Sequence, residues 1–177
     1  VRRRLAVLAL VLLPAASAPA QAPPASPADP ALVRRAAREI AVAARFCTLS
    51  TVGTDSLLQA RVMDVFPIGE DLVAWMGTHK GTRKVAELAR DPRATLSCFD
   101  PAGPGYVTFA GRAERVTDAA ALAQRFKPEW APFYEGGAQS RDYLLLKLVP
   151  RRVEVVSHAH GLASGPRAWR PEILELP

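Results

Sequence analysis

No stretch of this sequence reads G-x-G-x-x-G after an apolar run, and no Walker loop is present, which argues against a doubly wound nucleotide-binding fold. Only two cysteines and three histidines occur in 177 residues, and they never fall at zinc-ligand spacing. The excess of positive charge is small once the N-terminus is set aside. Residues 1–20 hold three arginines and no acids, so without them the formal net charge falls from +6 to +3, too little to argue for a nucleic-acid surface. Beyond those residues no apolar run approaches the ~20 residues of a membrane-spanning helix. Internal repeats are absent as well. What is there, 49% hydrophobic and 23% charged, is the composition of one globular domain with a real core.

The N-terminus has a pattern of its own. Arg2, Arg3 and Arg4 precede an apolar run over residues 5–13, and small residues follow as far as Ala18-Pro19-Ala20. This is the three-part layout of a secretory signal peptide, 1–20, with cleavage expected after Ala20 or Ala18. The mature chain is therefore expected to be exported, periplasmic or secreted. The arginine cluster fits general secretion, which needs only positive charge, and it also fits twin-arginine export of folded proteins. Residues 21–30, rich in Pro, Ala and Ser, read as a disordered spacer. Cys47 and Cys98 each lie inside an apolar run; export permits a disulfide, and two buried thiols fit the pattern equally.

From residue 31 onward the period of the apolar residues changes several times. Val33, Ala36, Ile40 and Ala44 recur at helical spacing over 31–45. Strands are expected over 46–52, 57–68 and 72–76, joined by short turns into an antiparallel meander. A short helix follows from Thr82, with Val85, Leu88 and Ala89 on its buried face, and then a strand over 94–99. A Pro/Gly loop leads to a long alternating strand over 106–116. Thr117-Asp118 caps a helix over 119–126, residues 127–139 read as an irregular loop, and strands over 143–149 and 151–157 finish the sheet around Pro150. About seven mostly antiparallel strands with a few short helices predict a mainly β fold, a small barrel occupying 31–160, with a C-terminal tail over 161–177. His158 and His160 read as polar residues of that tail.

One stretch stands out chemically. Residues 77–91, GTHKGTRKVAELARD, follow a strand and open a helix whose first turn carries Arg83 and Lys84. Cations at a helix start oppose the partial positive charge already there. Free amides, the Thr82 hydroxyl and those cations together suit an anion, most often a phosphate. Arg61, in mid-strand, could converge on the same group; its ordinary alternative is an exposed strand residue.

In these residues the sequence resembles the pyridoxamine 5'-phosphate oxidase-like family of FMN-binding split barrels, over about residues 46–156. Phe46-Cys47-Thr48-Leu49-Ser50-Thr51 is similar to its first strand and Arg61-Val62-Met63 to the strand with a phosphate-binding arginine. Thr78 with Gly81-Thr82-Arg83-Lys84 resembles the T-x-x-G-[ST]-R-K loop. Asp91-Pro92-Arg93 resembles the N-P-R turn, Gly111-Arg112-Ala113-Glu114 the G-x-A-E strand, and Pro150-Arg151-Arg152-Val153-Glu154 the closing strand. The resemblance implies a split β-barrel that holds FMN at a homodimer interface. It places Arg61, Arg83 and Lys84 on the phosphate with help from Thr82, and Val62, Met63 and Thr78 along the ring or ribityl chain. Tyr106 falls where oxidases of the family often place a glutamine. It implies a flavin-dependent oxidoreductase of unknown substrate; the alternatives are a non-catalytic module for flavin, haem or deazaflavin, or a scaffold that has lost its cofactor. No residue stands out as a general acid or base.

The departures concern the substrate. Phe66 stands where the oxidases carry a lysine, Val155 and Val156 where they place a tryptophan, and residues 158–162 have no counterpart of the R-x-H motif. Pyridoxamine phosphate is therefore not the expected substrate, and the chain looks closer to the general-stress-protein-like branch.

Overall fold

A computed structural model describes residues 27–163 and 169–177. The expected signal peptide, 1–20, and most of the expected spacer lie outside the described residues. The last of the spacer residues are ordered by the first helix, α1 (Pro30–Ala44): the Asp29 side chain accepts from the Ala31 amide at 2.9 Å, and Pro30 occupies the first turn, where its missing N–H costs nothing. Helix α1 buries Val33, Ala36, Ala37, Ile40 and Ala41 against the barrel, the stripe that the helical spacing implies. Arg45 ends it with φ at 53°.

Seven strands follow: β1 (Phe46–Val52), β2 (Leu58–Asp64), β3 (Ala74–His79), β4 (Arg93–Phe99), β5 (Gly105–Val116), β6 (Tyr143–Ser157) and β7 (Glu172–Glu175). Between β3 and β4 lies α2 (Arg83–Arg90); after β5 come α3 (Ala119–Gln124) and two 3-10 turns, Pro128–Phe133 and Gly137–Gln139, within the expected irregular loop. All pairings are antiparallel, in the order β2-β1-β4-β5-β6-β3, with β7 added to β6. Residues of the tail thus belong to the sheet, since Arg152 to Val155 pair with Glu175 to Glu172. No helix among the described residues is long and apolar enough to cross a membrane.

The expected meander of the first three strands does not form. Strands β1 and β2 make a hairpin, but β3 pairs along its whole length with the first half of β6. Between β2 and β3 there is one bridge, Val65 to Met76, and one further backbone bond, Phe66 N–H to Trp75 O at 2.9 Å. Turn signals between consecutive strands say that the chain reverses; they do not say which edge it returns to. Beyond that bridge β2 and β3 separate, and the barrel is split there. The inward side chains Leu49, Met63, Met76, Leu96, Phe109 and Leu146 fill it.

The two strands expected around Pro150 are one continuous β6. Pro150 has no N–H for the ladder, and the register slips by one residue opposite Ala110/Gly111. A Cβ at Gly111 would lie 2.1 Å from the Val149 carbonyl oxygen, so only glycine fits this bulge. Cys47 of β1 and Cys98 of β4 form a disulfide in the core, which settles the open pairing.

Candidate functional site

The sequence around the split brings polar side chains inward where the barrel cannot close. Alternation along β2 turns Gln59, Arg61 and Met63 inward and Ala60 and Val62 outward. Helix α2 covers the gap, and its first turn delivers Arg83, Lys84 and, one turn on, Glu87. Thr82 sits at the N-cap position, yet its hydroxyl does not cap the helix; it donates to the His79 carbonyl at 2.9 Å.

Glu87 is the centre of this cluster, and the sequence reading missed it. The reading put Ala89 on the buried face of α2, but Ala89 is exposed and Glu87 is 2% exposed. Its carboxylate accepts from Thr51 Oγ1 at 2.6 Å and pairs with Arg61 Nη2 at 2.6 Å and Arg83 Nε at 3.0 Å. Arg61 also donates to Thr51 Oγ1 and the Gln59 carbonyl, and Arg83 donates to Gln59 Oε1 at 2.9 Å. Burial alone would push the Glu87 carboxyl up; hydrogen bonds from Thr51 and Arg61 outweigh it and hold the group below its ordinary value. The one local hint was the Arg83–Glu87 spacing of four, a helical ion pair that as easily faces solvent.

Lys84 is different. Its ammonium donates to Thr78 Oγ1 at 3.0 Å and Thr82 Oγ1 at 3.3 Å, and it has no ion pair among the described residues. Burial, with the nearby Arg61 charge, pulls its pKa below the usual lysine value. Three cations therefore share one carboxylate at the split.

A second ionic cluster lies at the other end of β2. Asp64 accepts from Arg45 Nε at 3.1 Å, Lys127 Nζ at 2.6 Å and Trp130 Nε1 at 3.1 Å, while Arg45 also pairs with Glu129 at 2.8 Å. Burial raises the Asp64 carboxyl, and these donors more than offset that, so it too is held low. Here two cations meet two carboxylates. Phe66 is packed edge-on against Trp130 under the Lys127 ammonium.

The other expected site residues go elsewhere. Met63 is buried in the core, Val62 is 68% exposed on the outer face, and Tyr106 is on the outer face of β5, three strands from β2. Arg61, Thr78, Thr82, Arg83 and Lys84 do come together. His160 is not a free tail residue: its ring joins Ser157 Oγ at 2.9 Å to Glu39 Oε2 at 2.8 Å, tying the end of β6 to α1.

The family profile described as Pyridoxamine 5'-phosphate oxidase matches residues 33–157. No curated protein matches the chain. Among solved structures, the General Stress Protein 26 of Bacillus anthracis str. Sterne is similar at 19% identity and a TM-score of 0.66, over 81% of this chain and 98% of that one. A heme binding protein from Mycobacterium smegmatis is similar at 24% identity and TM-score 0.61, over 81% of this chain and 57% of that one. A pyridoxamine 5'-phosphate oxidase-related, FMN binding protein from Nostoc punctiforme PCC 73102 is similar at 18% identity and TM-score 0.50, over 71% and 80%. These likenesses establish the split-barrel fold.

Proposed function

Since the chain belongs to the pyridoxamine 5'-phosphate oxidase family, we propose that it is an exported flavoprotein whose split, between β2 and β3, holds the phosphate of FMN. The observation that carries this reading is Lys84: a partly buried ammonium, held by two hydroxyls at the start of a helix, with no ion pair among the described residues. A charge in that setting is stabilised by an anion supplied from outside. Lys84 and Arg61 would hold the phosphate, the hydroxyls of Thr78 and Thr82 would orient it, and the amides opening α2 would add their dipoles. When bound, the flavin supplies hydride or electron transfer at its ring. The substrate would be redox-active and small. Phe66, half-buried against Trp130 under the Lys127 ammonium, stands where the oxidases carry a lysine.

A second copy of the chain completes the proposal. The outer face of β1, β4 and β5 carries small side chains at its centre, Thr48, Ser50, Thr95, Ser97, Thr108 and Ala110, with the paired Arg93 and Arg112 at one end. Phe46, Leu58, Val62 and Phe99 stand exposed around it. An apolar rim on a sheet of small residues suits a two-fold partner, and Val62 and Tyr106 would lie in that interface. The Cys47–Cys98 disulfide supports an oxidising compartment, as export requires.

The absorption spectrum of protein purified from its native host tests the cofactor, with mass identification of what is released. Two flavin bands and FMN are expected; a Soret band would replace this reading with haem. Two of the three histidines have their ring nitrogens engaged: His79 Nδ1 accepts from the Gly81 amide at 3.1 Å, and His160 meets Ser157 and Glu39. Light scattering should give twice the monomer mass; a flavin-loaded monomer would contradict the interface.

A further inference from the structure

Glu87 has no part in the phosphate site as the sequence defines it, yet it is the most buried charged group there. A helix ion pair on a surface needs no burial, and Arg83 alone would satisfy that role from its exposed position. Instead the carboxylate is sunk beneath α2, where Thr51 from β1 and Arg61 from β2 hold it from two further elements. Burying a carboxylate is costly unless its partners are well placed. In a pocket for an anion it also repels the ligand. Its presence there needs a reason beyond packing.

The reason lies in the charge count. Arg61, Arg83 and Lys84 would give the pocket three positive charges, and Glu87 removes one. A phosphate monoester carries about −1.5 to −2 at pH 7. Resting on the phosphate-site reading above, we propose that Glu87 is a specificity-determining residue: an internal anion that matches the pocket's net charge to a single phosphate dianion and so refuses more highly charged anions. A dianion leaves the filled pocket neutral. Tripolyphosphate or a nucleoside triphosphate leaves it with excess negative charge, close to the buried Glu87 carboxylate. The residue acts on the ligand through this charge and through the two guanidinium groups that it fixes, without touching the flavin ring.

The test uses binding alone. Flavin fluorescence reports the FMN dissociation constant of the mature protein, and inorganic tripolyphosphate is the competitor. In the wild type, tripolyphosphate should compete poorly. Glu87→Gln, which keeps the side-chain shape, should shift the ratio of the two affinities toward tripolyphosphate by about tenfold or more. Arg83→Gln, at a largely exposed position, should shift the ratio the other way. The double variant should return it near the wild-type value. An unchanged ratio in Glu87→Gln, or equal weakening of both ligands, would make Glu87 a structural residue only and overturn the proposal. If Glu87→Gln does not fold, the Arg83→Gln ratio decides alone: a shift away from tripolyphosphate supports charge matching, and no shift overturns it. A wild type that binds neither ligand would remove the phosphate site itself, a result distinct from a site that binds FMN without this selectivity.

Discussion

The two ionic clusters at the ends of β2 use the same materials for opposite ends. At Asp64, two cations and two carboxylates close on one another, and a tryptophan N–H takes up a remaining lone pair. At Glu87, three cations face one carboxylate, and Lys84 is held by hydroxyls, with no ion pair among the described residues. A balanced cluster stabilises the fold. An unbalanced one that is partly buried is costly until something negative arrives. The difference between structural and functional ionic groups here is a difference in charge count, and the residues of β2 reach both.

The largest expected effect breaks the balanced cluster. Asp64→Ala leaves Arg45 with Glu129 alone and takes from the largely buried Lys127 its carboxylate, and should cost about 3–5 kcal/mol of unfolding free energy in a urea titration. Protein that remains folded should still bind FMN normally. Reducing the Cys47–Cys98 disulfide should cost about 2–4 kcal/mol in the same titration, again with little change in flavin affinity, because it clamps β1 to β4 away from the split.

At the unbalanced cluster the two readouts should reverse. Lys84→Ala removes a charge-assisted hydrogen bond to the phosphate worth about 1.5–3 kcal/mol, so FMN affinity should weaken roughly tenfold to hundredfold. Stability without ligand should hold or rise slightly. A Lys84→Ala protein that unfolds as readily as Asp64→Ala would erase the distinction between the clusters.

How much of this could be read in advance depended on distance along the chain. The alternation of β1, β4 and β5 and the stripe of α1 are local, and the sequence shows them plainly. So are Arg83 and Lys84, which lie side by side in one short motif. Arg61 became readable through its resemblance to a known strand. Pairing β3 with β6 joins residues some 64 to 74 positions apart (His79 with Tyr143, Ala74 with Leu148), and no local pattern encodes it. Asp64 meets Lys127 across 63 residues for the same reason. Glu87 was missed because a glutamate on a basic helix reads as a solvent-facing partner; its burial follows from β1 and β2 passing beneath α2.

The smallest effects are those of pH. Both Asp64 and Glu87 are held below their ordinary values, so their contribution is complete above the unfolded carboxylate range and is lost as pH falls through it and below. Asp64→Asn and Glu87→Gln should each flatten the acid limb of a stability–pH curve. Lys84 has the opposite sign of linkage. Its folded pKa is lowered, so the unfolded chain binds more protons, and stability without ligand should rise as pH climbs toward 10.5. Lys84→Met should remove that rise, and bound FMN should remove it as well.

The most direct measurement of the central claim, that the split is left positively charged for a phosphate, is a paired titration of FMN and riboflavin against the mature protein. The two ligands share the ring and the ribityl chain and differ only in the phosphate. FMN should bind at least about tenfold to hundredfold more tightly, and Lys84→Ala should narrow the gap by weakening FMN while leaving riboflavin unchanged. Equal affinity for the two flavins in the wild type would contradict the account.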